Sequence, residues 1–302
     1  MSHPIRSLSG SLITPLEPGS PRGPREGVQA PAIGQQSVHA TALGRIEAAV
    51  ASSCGSQHDA NEDAHSVLDS RGRVFVVADG VGGGAMAQMA SRELVSHLHT
   101  ALDAGRPPDA DRARAAMLDA DRAIAQRIAR VTDSPGAATV ALCAPVNVFA
   151  SKWLVAWVGD CRVYRLVMGG ASRFEMLTRD DTFRQLGELP PSGGSLDDPA
   201  RMVGNGATSG ANVALHELSC GDLLVLCSDG VHKYVEVDDW TRLLMQPLPL
   251  LRRCEELIAL ARANGSADDA TVLLLRRTAL EVPRPRWLTR FVGPIDQPGA
   301  QR

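Results

Sequence analysis

Five aspartates in this chain of 302 residues keep the same company, each beside a short apolar run and most with a glycine next to them. They are Asp63 in NEDAH, Asp79 in VFVVADGVGG, Asp160 in WLVAWVGDCR, Asp229 in LLVLCSDGV and Asp268 in SADDATVLLL. Any one of them alone reads as a turn, because Asp-Gly after a strand is ordinary turn chemistry. Together they carry more. Strand ends along one sheet edge bring distant residues to one place, and carboxylates crowded there repel unless cations neutralise them. Hard oxygen donors without a His or Cys pattern suit Mg2+ or Mn2+ rather than Zn2+. The histidines His65, His97, His99, His216 and His232 show no metal-type spacing among themselves. A two-metal oxygen site, with ions ~3.5–4 Å apart sharing a bridging hydroxide, would perform in-line attack on a phosphoryl group.

The elements that must position these residues can be read from periodicity. Val74 to Ala78 is a short apolar run closed by Asp79-Gly80, and residues 85 to about 102 read as a helix. A second helix over about 111–130 carries Ala113, Met117, Ala120, Ile124 and Ile128 on one stripe. Strands are expected at 139–142, 153–158, 162–167, 213–218, 223–227 and 271–275, with helices at 237–245 and 250–263. Strands in runs, separated by paired helices, point to an α+β layered fold. The segment from about 169 to 211, rich in Gly and Pro, reads as an inserted flap.

The motifs NEDAH, VVADGVGGG, WVGDCRVYRL, LCSDGV and ADDATVLLL, in that order, resemble the metal-dependent (PPM, type 2C) serine/threonine protein phosphatases, with the likeness running from about Ile46 to Arg277. Val81 in DGVGGG looks more like the bacterial branch. The resemblance implies a four-layer α/β/β/α sandwich, two central, mainly antiparallel β-sheets flanked by helices. It also implies two Mn2+ or Mg2+ ions, with a third as an option. Carried over residue by residue, Asp79 matches the ligand bridging both metals, with the carbonyl of Gly80 beside it. Asp63, Asp229 and Asp268 match further carboxylates of the binuclear site, Glu62 one acting through water, and Asp160 the ligand of a third, weaker metal. Thr178 and Asp180 fall where the flap begins. The expected activity is hydrolysis of phosphoserine and phosphothreonine by a metal-bridging hydroxide, with Asp79, Asp229, Asp268 and His58 at the chemistry and no covalent phosphoenzyme.

Three positions depart from the family pattern. Asp269 stands where an Asn usually follows the last ligand, Cys161 where a Ser follows Asp160, and His58, in HDANED, where an arginine grips substrate phosphate. Two other readings use the same residues. A phosphatase-like module that binds phosphoproteins without turnover draws on His58. A dinucleotide-binding protein draws on Gly80-Val-Gly82-Gly-Gly-Ala85, which fits G-x-G-x-x-A after a strand, although a second helix then stands where the next strand of a βαβ unit belongs.

Composition narrows the classes. Hydrophobic residues make up 44% and charged residues 22%, an ordinary globular mix, and the net charge of −3 gives no drive towards a phosphate backbone. The charge is uneven, with about −8 on residues 46–282 between two arginine-containing ends. Six scattered cysteines without a C-x-x-C pair fit a reducing compartment and are expected to serve as small buried hydrophobes. No apolar run approaches the ~18 residues of a membrane span. Residues 1–45, rich in Pro, Gly and Ser, are expected to be a disordered leader, 46–280 the phosphatase domain and 281–302 an Arg/Pro-containing tail. The expected setting is cytoplasmic signal transduction, with a phosphoprotein substrate opposite a serine/threonine kinase and no nucleic-acid or membrane partner.

Overall fold

The computed structural model describes residues 32–279 except 70, 71, 104, 170, 171, 207 and 209. One sheet has the order β1 (Ile33–Thr41), β2 (Gly44–Ser53), β11 (Ala270–Ala279), β10 (Leu223–Cys227), β7 (Arg162–Val167) and β8 (Arg173–Met176). The other runs β3 (Ala64–His65), β4 (Phe75–Val81), β5 (Ala137–Pro145), β6 (Lys152–Val158) and β9 (Asn212–Glu217). Every neighbouring pair is antiparallel.

Side-chain alternation along the strands sets the layers. Phe75 and Val77 on β4, Ala141 and Cys143 on β5, and Trp153 and Val155 on β6 meet Ile46, Ala48 and Val50 of β2, Leu224 and Leu226 of β10, and Leu273 and Leu275 of β11 in one buried layer between the sheets. The intervening residues face outwards. Val76, Ala78, Val140 and Leu142 pack under α1 (Ala85–Leu102) and α2 (Ala110–Val131), including the expected stripe from Ala113 to Ile128. Ala49, Ala51, Val225, Val272 and Leu274 pack under α5 (Val237–Leu244) and α6 (Leu250–Ala263). The result is the expected α/β/β/α sandwich. Each large apolar side chain so buried contributes roughly 1.5–3 kcal/mol, and removing a central one such as Trp153 would open both sheets' shared layer.

Four features differ from the sequence expectations. The leader boundary at 45 is too late, because β1 and the start of β2 lie before it and form a hairpin joined from Ile33↔Ser52 to Thr41↔Gly44. Polar IGQQSVHAT is an edge strand secured by backbone bonds rather than by burial, so composition conceals it. Residues 1–31 of that leader, and the tail from 281, lie outside the described residues. Second, the flap is not a free insertion: β8 extends a sheet, Val203 bridges to Ala138, and buried Asp121 of α2 accepts from Gly204 N (2.7 Å) and Gly206 N (3.1 Å). Third, the dinucleotide reading fails, since β5, the strand that follows α1 and α2, lies antiparallel to β4, not parallel as a βαβ unit demands. Fourth, Cys220 is exposed and Cys54 half-buried, while the other four free cysteines are buried.

Candidate metal centre

The rows that fill the inter-sheet layer turn polar at one end of the sandwich. Continuing the inner positions of β2, β4, β10 and β11 by one step brings Ser52, Asp79, Ser228 and Thr271 together. Backbones approach closely there. A Cβ on Gly230 would lie 1.9 Å from Asp269 O, and one on Gly80 2.6 Å from Ala87 O and 2.8 Å from Glu62 O, so the glycine in each Asp-Gly pair is needed for space.

Asp63 is buried, and its Oδ2 accepts from Ser228 Oγ and Thr271 Oγ1, both at 2.7 Å. Its Oδ1 is buried without a partner. Ser52 Oγ lies 2.8 Å from Thr271 Oγ1 and accepts from Asn61 Nδ2, so a hydroxyl network fixes this carboxylate from behind. Glu62 is tied at three points: its backbone N donates to Asp269 Oδ2 (2.6 Å), its O accepts from Ser91 Oγ (2.5 Å), and its Oε1 accepts from Gly84 N (2.5 Å). Asp229 opens the short helix α4 (Asp229–His232) and its carboxyl meets that of Asp79. Asp229 Oδ1 is a second buried oxygen without a partner, and Asp160 Oδ2, after β6, a third.

The electrostatics follow from this crowding. Burial, then Asp229, Asp63 and Asp160, push the Asp79 carboxyl well above the usual carboxylate range. Asp63 and Asp160 rise for the same leading reason, burial, with neighbouring carboxylates adding to it. Asp268, about half exposed, rises through burial and the charge of Asp229. Asp229 alone among these falls: burial raises it, but Lys233, with Nζ 2.6 Å from Oδ2, joined by His232 and the contact with Asp79, outweighs burial. All-oxygen donors, three orphaned buried oxygens and mutual repulsion are the conditions that hard divalent cations relieve, so the residues present fit Mg2+ or Mn2+.

His58 lies at the rim. Its Nδ1 is 2.9 Å from Asp269 Oδ2 and 3.8 Å from Asp268 Oδ1, and it lines a cavity of about 370 Å3 with Gln57, Asp59, Glu62, Gly84 and Gln88. Ligand-type atoms of His58, Asp268 and Asp269 fall within 4.8 Å of one another. That trio is a poor cation site, because Asp269 already spends Oδ1 on Gly55 N (2.7 Å) and Oδ2 on Glu62 N and His58. Burial lowers the His58 pKa, yet the Asp269 hydrogen bond and charge more than reverse this, and the net direction is up.

Of the sequence-predicted residues, Asp63, Asp79, Asp160 and Asp229 interact directly through their charges, Asp268 joins them through Asp229, Glu62 and His58 line the approach, and Gly80 lies against the Glu62 backbone. Thr178 and Asp180 serve the neighbouring flap: Thr178 Oγ1 accepts from Val163 N, and Asp180 binds Arg162 through both oxygens. Sequence reasoning missed Ser228, Thr271, Lys233 and Arg262. Lys233 was findable from its i,i+4 spacing to Asp229. Arg262 of α6 was not: it donates to Ser53 O and Asp268 O, clamping the last loop from a charged position beside the helix's apolar stripe that the local sequence marks only as solvated. The largest cavity among those described, about 750 Å3 between α1 and Ala64, His65, Val67 and Asp69, holds none of the predicted ligands.

Comparison with known proteins agrees with this geometry. A family model, Protein phosphatase 2C, matches residues 51–262. The serine/threonine protein phosphatase PstP of Mycobacterium tuberculosis is 30% identical over 214 residues, covering 67% of this chain and 40% of the relative, so the chain spans less than half of that relative's length. A putative protein phosphatase 2C-type of Streptococcus pyogenes is 24% identical over 243 residues, covering 76% of this chain and 96% of the relative. Among solved structures, the M. tuberculosis PstP/Ppp phosphatase superposes with a TM-score of 0.67 at 25% identity, over 77% of this chain and 99% of that one. The PstP catalytic domain solved with 2 manganese ions gives 0.66 at 25% identity, over 77% and 98%. With more than half of its length inside the family model and its strand ends converging on one acidic cluster, this chain belongs to the protein phosphatase 2C family.

Proposed function

We propose that the chain is a metal-dependent protein phosphatase that hydrolyses phosphoserine and phosphothreonine in protein substrates. The observation that carries this is the pair of buried oxygens, Asp63 Oδ1 and Asp229 Oδ1, that accept no hydrogen bond from the protein and that divalent cations would engage. Asp79, Asp229, Asp268, Asp63 and the Gly80 carbonyl are the groups we assign to two ions, with Glu62 acting through water. Two such ions supply a water acidified to act as nucleophile near neutral pH, and positive charge for the phosphoryl oxygens. The chain's own residues do the rest. Ser228 and Thr271 aim Asp63, Gly84 N holds Glu62, and Arg262 fixes the Asp268 loop. His58, its proton favoured by Asp269, offers one charge-assisted contact to incoming phosphate at the position of the family arginine.

The proposed setting is phosphoprotein signalling in the cytoplasm, opposite a serine/threonine kinase. No helix of the described residues is long and apolar enough to cross a membrane. The deciding experiment is hydrolysis of p-nitrophenyl phosphate and of a phosphothreonine peptide with Mn2+ and with excess EDTA. Turnover with Mn2+ that EDTA abolishes is expected. An undiminished rate in EDTA refutes the metal mechanism, and phosphopeptide binding without turnover favours a non-catalytic binding module.

A further inference from the structure

The flap-side edge of the cluster holds a cation of its own. Asp160 is 3% exposed, and its Oδ2 accepts no hydrogen bond. Lys233, one turn beyond Asp229, sets Nζ 2.6 Å from Asp229 Oδ2 and 3.8 Å from Asp160 Oδ2. The ammonium faces a cavity of about 290 Å3 that also contains Arg162, Asp180, Arg184 and Asp197. Both arginines are committed elsewhere, Arg162 to Asp180 through both oxygens and Arg184 to Asp197 at 2.6 Å. His232 is buried and bound through Nε2 to the Asp160 carbonyl, not to its carboxylate. Lys233 is therefore the one cationic group among those facing the cavity that serves the Asp160–Asp229 pair.

Two carboxylates flanking one ammonium is the arrangement that an added divalent ion would otherwise neutralise. We propose that Lys233 is the resident cation of the Asp160–Asp229 edge, occupying the place of a third metal ion and limiting the cluster to two. The inference rests on the metal-dependent reading above. An ammonium tethered by the chain acts at high effective concentration and never leaves, whereas a weakly held ion must be drawn from solution. A metal entering this edge must displace Lys233 from Asp229 before Asp160 can bind it. The lysine side chain is 43% exposed at the end of a four-residue helix, so its replacement removes a charge without opening the core.

The test is the Mn2+ stoichiometry of the full chain, followed to millimolar ion by paramagnetic resonance of free against bound Mn2+. The wild type is expected to take two ions, Lys233→Met three, Lys233→Arg two, and Lys233→Met combined with Asp160→Asn two again. Lys233→Gln, expected to match Lys233→Met, guards against a folding failure of the methionine variant. Three ions in the wild type, or two in both neutral variants, overturns the role of Lys233 while leaving the metal-dependent reading intact. No ion in the wild type overturns both.

Discussion

Asp269 and Asp63 are both buried aspartates at the same end of the sandwich, yet the protein treats them in opposite ways. Asp269, 2% exposed, has both oxygens occupied, by Gly55 N, Glu62 N and His58. Asp63, 6% exposed, receives two hydroxyls on one oxygen and nothing on the other. A buried charge that the protein intends to keep is given donors and a cation, while one left short is held for something from outside. That distinction separates the acids that hold the loops together from those we assign to the metal centre. It also unites two departures from the family pattern, since the His in place of Arg and the Asp in place of Asn face each other at 2.9 Å as one pair.

The largest expected effect is on turnover. Asp79→Asn, Asp229→Asn and Asp268→Asn should each lose more activity than the ~10–100-fold typical of losing an outer-shell partner of a metal ligand, while keeping the wild-type circular dichroism spectrum. Ser228→Ala and Thr271→Val, each of which removes one hydroxyl donor from Asp63, should fall within that ~10–100-fold range in Mn2+ affinity by calorimetry. Wild-type affinity in both would remove the hydroxyl network from the account of the site.

Stability should divide the two aspartates by sign. Asp269→Ala leaves two buried backbone N–H groups unmatched at ~1–3 kcal/mol each, so urea unfolding of the metal-free protein should show a loss of roughly 2–6 kcal/mol. Asp63→Asn, under the same conditions at neutral pH, removes the cost of burying a carboxyl that burial pushes up to about 8 and should leave stability unchanged or raised. Equal losses in both variants would mean that the contrast between satisfied and unsatisfied acids has no energetic content.

How much of this was legible beforehand depended on sequence distance. Helices with an unbroken stripe, α1, α2 and α6, and the apolar strands β6, β7 and β10 announce themselves locally. β2 does not, because GRIEAAVASS has the Ala and Glu of a helix, and only its place between β1 and β11 makes it a strand. The aspartates that converge on the cluster were legible because each carries its own Asp-Gly or apolar-run signature. The His58–Asp269 pair, 211 residues apart, carries no such mark, and neither do Ser228 and Thr271 behind Asp63. Local chemistry writes itself into local sequence, and partnership across the fold does not.

Metal linkage gives a smaller effect with a definite pH trend. Asp63, Asp79, Asp160 and Asp268 have folded-state pKa values raised above their unfolded values. The folded metal-free state therefore binds more protons than the unfolded one, and its stability falls as pH climbs above the ordinary carboxylate range near ~4. Metal binding opposes that loss and requires the deprotonated form. At a free Mn2+ concentration of about 100 Kd the ion adds ~2.7 kcal/mol, or roughly 5–10 °C in Tm for a domain of this size. The Tm gain from a fixed Mn2+ concentration should be greater at about pH 8 than at about pH 5, on either side of a raised carboxylate. A gain independent of pH would detach the ions from these acids.

The smallest effect lies in the pair that needs no metal. The pKa of His58 is raised in the folded state, because the Asp269 hydrogen bond and charge outweigh the burial that lowers it. A histidine whose folded pKa exceeds its unfolded value of ~6.5 contributes stability that is fully present below that value and is lost as pH rises through the folded pKa. The side chain of His58 is 26% exposed against 3% for Asp269, so solvent screens one partner and the contribution should be only ~1 kcal/mol. His58→Gln in the metal-free protein should therefore cost about that much at about pH 6 and little at about pH 9, by urea unfolding at both values. Comparing the variant with the wild type at each pH cancels the carboxylates' own trend, which runs in the same direction. A cost that is equal at the two pH values would show that the ring acts through shape alone. His58→Arg extends the test to function: a permanent charge and a planar fork at this position should lower KM for a phosphothreonine peptide, with Mn2+ affinity unchanged, because Asp269 would hold the guanidinium as it holds the imidazole.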